Sequence, residues 1–298
     1  MSDMPHTLNA AAQPGGFTRR EFVAVSVAAG LAASAEEAVA ADQPLVETDV
    51  SIKTPDGMCD AAFIHPASGS HAAVLIWPDA FGLRPAMRDM ARRLAAQGYA
   101  VLVPNPFYRL AKAPVFQTAA NFDFQDQTAW NKLRPLMGSV GAAGAAERDA
   151  VAFVAFLDAQ PQVDKSKKIG TQGYCMGGPL VVRTAAAMPN RIGAGASFHG
   201  GGLVSDKPDS PHLLAPKIRA QMYFGVAEND DQKQPDAKDK LKAAFPATAS
   251  MATVEVYPAK HGWCVPDMPQ EGGAAIYNKP EAEQAWAKLL TLYRKALA

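Results

Sequence analysis

The sequence lacks the charge imbalance and the metal motifs that mark several large classes of protein. Its 29 basic and 29 acidic residues give a formal net charge of zero. No basic stripe or acidic tail breaks this balance, so no nucleic-acid partner is predicted. No His-Glu-x-x-His motif occurs and the six histidines are scattered, so neither a metal nor another cofactor is predicted.

Cysteine is scarce, with three residues at Cys59, Cys175 and Cys264. An odd number leaves at least one thiol without a partner in its own chain. A single cysteine is more often buried and inert than reactive, so scarcity alone assigns no role. Pairing of Cys264 with another thiol, which would regulate access to a nearby site, stays open at this point.

The first forty residues differ in character from the rest of the chain. The stretch Thr18-Arg19-Arg20-Glu21-Phe22-Val23 precedes an Ala-rich apolar run, and Ala38-Val39-Ala40 has the small-x-small pattern of a cleavage site. This arrangement resembles a twin-arginine export signal. The apolar run is too short to span about 30 Å of hydrocarbon, so no stable membrane anchor is expected. We predict a signal peptide over residues 1–40, removal near Ala40, the twin-arginine export machinery as a partner, and a periplasmic mature protein.

Residues 41–298 alternate between short apolar runs and helical patterns, without internal repeats. Strands are predicted at residues 46–53, 58–65, 72–77, 99–103, 168–172, 191–198, 220–224 and 253–257. Helices are predicted at residues 85–97, 142–159, 176–188, 235–244 and 281–297, and residues 105–140 are expected to be a mixed loop with short helices. Such alternation is typical of one α/β domain in which helices cover both faces of a mostly parallel, twisted sheet.

The sharpest motif is Gly173-Tyr174-Cys175-Met176-Gly177-Gly178, which lies between a predicted strand and a predicted helix. This spacing is typical of a nucleophile elbow, where small residues let a strand turn sharply into a helix and expose the central side chain. Cys175 would face the helix N-terminus, which favours the thiolate, and the N–H of Met176 would be available to an oxyanion. A tight turn around a buried, inert cysteine is the alternative.

Two later segments supply partners in the order nucleophile, acid, histidine that hydrolases with this elbow use. Asp230 follows one predicted strand and His261 follows the next, and ligands bind at such carboxyl ends in open α/β sheets. His261 would take the thiol proton and return a proton to the leaving group, while Asp230 would orient the imidazole. Glu228 and Asp231 are rivals for the role of the acid.

Together these motifs resemble the dienelactone hydrolases, an α/β-hydrolase family. The resemblance rests on the elbow, on Asp230, on the His261-Gly262-Trp263 turn and on residues 76–83, Ile-Trp-Pro-Asp-Ala-Phe-Gly-Leu. It implies an α/β-hydrolase fold and hydrolysis of a small ester or lactone through a Cys-His-Asp triad and a thioester intermediate. Two alternatives are an esterase or thioesterase for other acyl substrates, and a catalytically silent fold member that binds a small ligand.

The resemblance also implies roles for the loop that follows the strand at residues 72–77. Asp79 stands where the family keeps a carboxylate, usually Glu, that contacts the nucleophilic thiol. The N–H of Ala80 would complete an oxyanion hole with the N–H of Met176.

Substrate contacts are implied in the same way. Arg109 matches the first of two family arginines that bind the substrate carboxylate, but the second position holds Val265. The dienelactone itself is therefore not assumed to be the substrate. His199 and Trp263 are expected to line the substrate pocket.

Overall fold

The computed structural model of the protein describes residues 43–245 and 252–298. The predicted export signal and its cleavage site near Ala40 lie outside the described residues. Within the described residues, none of the helices has the length and apolar character needed to cross a membrane.

An eight-stranded sheet forms the centre of the molecule. Its strands are β1 Leu45–Thr54, β2 Gly57–Pro66, β3 Ala73–Trp77, β4 Ala100–Pro104, β5 Ile169–Tyr174, β6 Ile192–Phe198, β7 Gln221–Ala227 and β8 Ala252–Tyr257. They lie in the order β1-β2-β4-β3-β5-β6-β7-β8. The β1–β2 and β2–β4 pairs are antiparallel, and the remaining neighbours are parallel. The predicted mostly parallel α/β-hydrolase sheet is confirmed.

Helices cover both faces of this sheet. The described helices are α1 Pro85–Ala95, α2 Gln127–Val140, α3 Ala145–Ala159, α4 Gly177–Ala187, α5 Glu228–Lys233, α6 Ala237–Ala244, α7 Lys279–Ala296 and a 3₁₀ helix at Pro211–Lys217. Because side chains alternate along a strand, β3 contributes to both layers. Trp77 packs against Phe153 of α3, with ring centroids 5.6 Å apart, whereas Ile76 belongs to the opposite core with Met87 of α1.

Several elements differ from the sequence prediction. Residues 105–140, expected to be irregular, include the 14-residue helix α2. Asp126 caps this helix by accepting a hydrogen bond from the N–H of Thr128, and Leu133 and Leu136 bury its inner face. Pro135 lies on its exposed side, where the proline costs one hydrogen bond without ending the helix. A small hairpin of β9 Gln270–Glu271 and β10 Ala274–Ala275 was also not predicted.

Five adjacent parallel strands end along one edge of the sheet, and a candidate residue follows each of them. In the order of the sheet, β3, β5, β6, β7 and β8 are followed by Asp79, Cys175, His199, Asp230 and His261. The topology therefore assembles residues that are distant in sequence at a single edge.

Candidate active site

Cys175 occupies a strained turn between β5 and α4. Its φ of +51° lies in a region that residues other than glycine rarely adopt. The N–H of Cys175 donates to the carbonyl of Phe198 and to Nδ1 of His199, both at 3.1 Å. The sharp turn and the helix that starts at Gly177 are the features expected of a nucleophile elbow.

The elbow depends on close packing that only glycine permits. A Cβ added at Gly173 would lie 2.3 Å from the carbonyl oxygen of Gly177. A Cβ added at Gly177 would lie 2.3 Å from the carbonyl oxygen of Trp77, at the end of β3. Because the start of α4 packs directly on the end of β3, the loop after Trp77 is held beside Cys175.

His261 and Asp230 form a hydrogen-bonded pair at the same edge. Nδ1 of His261 lies 2.6 Å from Oδ2 of Asp230, and the two side chains are 28% and 26% exposed. The backbone N–H of His261 donates to Oδ1 of Asn229 at 2.8 Å, which fixes the loop that carries the imidazole. Asn229 was not among the predicted site residues, and its role depends on a contact between helix α5 and the loop that follows β8.

The two rival acids lie elsewhere. The side chain of Glu228 is exposed, and Asp231 accepts hydrogen bonds from Nζ of Lys238 at 2.7 and 2.8 Å. Of the three acidic candidates, Asp230 is the one that contacts His261. The geometry therefore favours Asp230 as the group that orients the imidazole.

The charge state of His261 depends on its neighbours. Burial disfavours the imidazolium, but the hydrogen bond to Asp230 and the nearby Cys175 outweigh it and raise the pKa of His261 to about 10. An imidazole with this pKa is protonated at neutral pH, and its positive charge stabilises a neighbouring thiolate.

The backbone N–H groups of Ala80 and Met176 belong to segments that pack in one cluster with Cys175. In the described part of the chain, neither Ala80 nor Met176 uses its N–H in a hydrogen bond. Met176 immediately precedes α4, so its N–H is at the positive end of the helix dipole. Both groups are free to stabilise an oxyanion near Cys175.

Comparison with known proteins fits this geometry. The model of the dienelactone hydrolase family matches residues 59–297. The chain belongs to the dienelactone hydrolase family. Membership in the dienelactone hydrolase family supports the predicted assignment of the chain as an enzyme that hydrolyses esters or lactones.

Individual relatives are more distant. The carboxymethylenebutenolidase of Rhodococcus opacus is 26% identical over 205 residues, which cover 67% of this chain and 74% of the relative. The carboxymethylenebutenolidase homolog of Mus musculus is 32% identical over 159 residues, covering 53% of this chain and 56% of the relative. A solved structure named m3DLH has a TM-score of 0.69 at 24% identity and covers 85% of this chain and 99% of its own. This last likeness concerns the fold.

Asp79 does not make the thiol contact that the dienelactone hydrolase resemblance implied, and this expectation is corrected. Its Oδ1 accepts from the N–H of Phe81 at 2.9 Å and from Nη1 of Arg84 at 2.7 Å, while Oδ2 accepts from Nη2 of Arg84 at 2.9 Å. None of the hydrogen bonds of Asp79 in the described region reaches Cys175. The guanidinium holds the shorter carboxylate back in the loop.

Arg84 connects three loops at the edge of the site and was missed by sequence reasoning. Its Nε and Nη2 donate to the carboxylate of Asp267 at 2.8 and 2.7 Å, in addition to the bonds to Asp79. Asp267 in turn accepts from the N–H of Ala119 at 3.0 Å and from the hydroxyl of Thr118 at 3.2 Å. No local signal could have paired Arg84 with Asp267, because the contact joins distant parts of the chain.

Arg109 is also engaged elsewhere, which corrects its predicted role in binding a substrate carboxylate. Its guanidinium donates to Asp149 at 2.7 and 2.9 Å and to Asp56 at 2.7 and 3.0 Å. Val265, at the position of the second family arginine, is fully buried. Neither position offers a free cation to a substrate.

His199 and Trp263 are buried side chains behind the triad rather than an open pocket wall, so their predicted substrate contacts are corrected as well. Their relative exposures are 1% and 0%. The ring of His199 lies 4.8 Å from that of His261 and 5.2 Å from that of Trp263. Burial, and next the neighbouring His261, lower the pKa of His199 well below its usual value, so this imidazole is neutral. A neutral ring can accept the Cys175 N–H and support the elbow.

All three cysteines are free thiols. Burial raises the pKa of Cys59 and of Cys264, which favours their neutral, unreactive forms. Cys264 is bonded to no other thiol within the described chain, so the suggestion of a regulatory disulfide has no support here. Cys175 is the partly exposed cysteine of the three.

Proposed function

We propose that the protein hydrolyses small esters or lactones through Cys175, His261 and Asp230. The observation that carries this proposal is the contact between His261 and Asp230 at 2.6 Å beside a strained, partly exposed cysteine. Family membership supports the class of reaction, and the geometry supports the residues.

The reaction follows from these positions. The thiolate of Cys175 attacks the carbonyl carbon, and the N–H groups of Ala80 and Met176 stabilise the resulting oxyanion. The carbon–oxygen bond to the leaving group breaks as His261 protonates the departing alkoxide, which leaves a thioester on Cys175. Water then attacks the thioester while His261 accepts its proton, and the carbon–sulfur bond breaks to release the acid and restore the thiolate.

Asp230 acts on this cycle through the imidazole. It fixes the orientation of His261 and stabilises the imidazolium that precedes each proton donation. The neutral His199 ring behind the elbow adds no competing charge beside this pair. No cofactor is required by these steps.

The test compares the purified full chain with Cys175→Ala on a dienelactone, an aryl acetate and an acyl thioester. We expect Cys175→Ala to lose at least about 10³-fold in kcat/KM on the preferred substrate, because the nucleophile itself is removed. Cys59→Ala is the matched control, since it deletes a buried thiol in β2. Intact mass spectrometry of a rapidly quenched reaction should show an acyl group on the wild type. Equal rates for Cys175→Ala and wild type would refute the proposal and favour a binding protein of the same fold.

A further inference from the structure

Cys175 packs against an apolar cluster formed by loops at the edge of the sheet and by helix α2. The buried members of this aromatic cluster are Ala80, Phe81, Ala119, Phe122 and Leu133, and Phe116, Trp130, Met176 and Met268 pack around them. The rings of Phe81 and Phe122 lie 5.0 Å apart, and that of Phe116 lies 5.7 Å from Phe81. Because Phe81 follows Ala80 directly, the aromatic cluster begins one residue from a proposed oxyanion donor.

A groove of about 750 Å³ adjoins the aromatic cluster and shares Phe122 and Met268 with it. Its charged lining residues are Asp123 and Glu271, and in the described part of the chain no lysine or arginine lines it. Glu271 is paired with Lys260 at 2.8 Å, on the exposed surface. A carboxylate entering the groove would therefore find no lysine or arginine in this lining to pair with.

Arg84 and Arg109 are the arginines considered as binding groups for a substrate carboxylate, and both already form ion pairs within the protein. Arg84 is fully buried and binds both Asp79 and Asp267. Arg109 binds both Asp56 and Asp149. A substrate carboxylate would have to displace an internal carboxylate to reach either guanidinium, and the displaced group would then be left without a partner.

We propose that this chain selects neutral esters or lactones with an apolar acyl group, and discriminates against substrates that carry a carboxylate near the scissile bond. The proposal rests on the proposed function and names its substrate class. Apolar contact with the aromatic cluster favours the first kind of substrate, whereas a buried carboxylate without a cation to pair with disfavours the second. The specificity residues are Phe122 and Met268, which belong to the aromatic cluster and line the groove.

The experiment uses two esters with the same scissile bond, 4-nitrophenyl pentanoate and the 4-nitrophenyl monoester of glutaric acid. Their acyl chains have equal length and differ by a terminal methyl group against a carboxylate. Rates measured with Cys175→Ala are subtracted, because the monoester also hydrolyses unaided. We expect kcat/KM for the pentanoate to exceed that for the glutarate by at least about 100-fold, since the glutarate buries a charge without a partner.

A pair of variants tests the cause of this preference. Met268→Arg places a cation between the aromatic cluster and the groove, and Met268→Gln changes the same side chain without adding charge. We expect the ratio of pentanoate to glutarate activity to fall at least about tenfold in Met268→Arg, because the new cation pairs with the glutarate carboxylate. In Met268→Gln the ratio should change less than about threefold.

The preference for neutral over negatively charged compounds can also be measured without ester hydrolysis. Alkylation of Cys175 by neutral N-phenyl iodoacetamide and by iodoacetate, each relative to glutathione, should favour the neutral reagent by at least about tenfold. This measurement uses the wild type, so it holds even if Met268→Arg fails to fold. Glutarate hydrolysis equal to or faster than pentanoate hydrolysis, or equal relative alkylation, would overturn the substrate class. Absence of Cys175-dependent hydrolysis of both esters would instead overturn the proposed function.

Discussion

Two charged clusters lie at the same edge of the sheet, and each holds a cation beside aspartate. In one, His261 is held between Asp230 and Cys175, with the histidine and its acid about a quarter exposed. In the other, Arg84 is held between Asp79 and Asp267, with Arg84 and Asp79 almost completely buried. The two clusters have the same kinds of charge. They differ in their exposure to solvent and in the number of hydrogen-bond donors that have no acceptor.

This difference separates a reactive cluster from a structural one. Every nitrogen of the Arg84 guanidinium donates to a carboxylate, so the second cluster has no group left for a ligand. The first cluster ends in a partly exposed thiol beside two N–H groups without acceptors. Unused donors and a partly exposed thiol, rather than charge alone, make the first cluster the candidate for the proposed chemistry.

The largest expected difference between the two clusters is in activity, and it is tested by replacing two neighbouring aspartates one at a time. Asp230→Asn should lower kcat/KM for the preferred ester by about 10²- to 10⁴-fold, because the imidazole loses the group that sets its tautomer. Asp231→Asn is the matched control and should change kcat/KM by less than about twofold, since Asp231 pairs with Lys238. Steady-state kinetics of both variants make the measurement. Similar losses for the two would mean that Asp230 is not the acid of the triad.

Substitutions in the Arg84 cluster should change the free energy of unfolding rather than the activity. Arg84→Met leaves the buried Asp79 and the partly buried Asp267 without their cation, and should lower the free energy of unfolding by about 3–5 kcal/mol. Arg88→Met also removes an arginine bound to two carboxylates, but its pairs with Glu47 and Asp49 lie at the surface, so the loss should be about 1 kcal/mol or less. Urea denaturation compares the two variants. Equal losses would contradict the distinction between a buried and an exposed network.

A third, smaller effect concerns pH. The pKa of His261 is about 10 in the folded protein against an ordinary value of 6.5, so the folded state holds this proton more tightly than the unfolded chain. The resulting stabilisation is complete below pH 6.5 and is lost as the pH rises through about 10. Asp230→Asn removes the largest contribution that raises this pKa. The difference in Tm between wild type and variant should therefore be largest near pH 6.5 and narrow toward pH 10. A difference in Tm that does not change with pH would contradict the raised pKa of His261 in the folded protein.

The sequence allowed the sheet and the turn around Cys175 to be predicted, because both depend on local patterns. The continuous apolar run at residues 72–77 became β3, and the glycine string around Cys175 became a turn in which two glycines are sterically required. The choice among Glu228, Asp230 and Asp231 could not be made in the same way. All three follow β7, and only the approach of His261 from β8 distinguishes them.

The surroundings of the triad were predicted least well, since they depend on partners distant in sequence. Asp79 and Arg109 were assigned by resemblance to positions that bind thiol or substrate. Each is instead held by an ion pair that no local motif predicts. Asp79 is bound by Arg84, which also binds Asp267, and Arg109 is bound by Asp149 on α3. Helix α2 is longer than the short helices predicted within residues 105–140, where Pro135 suggested an irregular segment.

The contact of Gly177 with the carbonyl of Trp77 has a consequence for how the site comes into being. Pairing of β3 with β5, with Trp77 opposite Gly173, brings the segments that carry Ala80 and Met176 together. The two proposed oxyanion donors are then in place before any ligand arrives, and no reorganisation is needed when negative charge develops between them. Variation in residues 105–140 can alter the aromatic cluster while this strand pairing is kept. Substitutions in residues 105–140 can therefore change the substrate specificity while the two proposed oxyanion donors keep their positions.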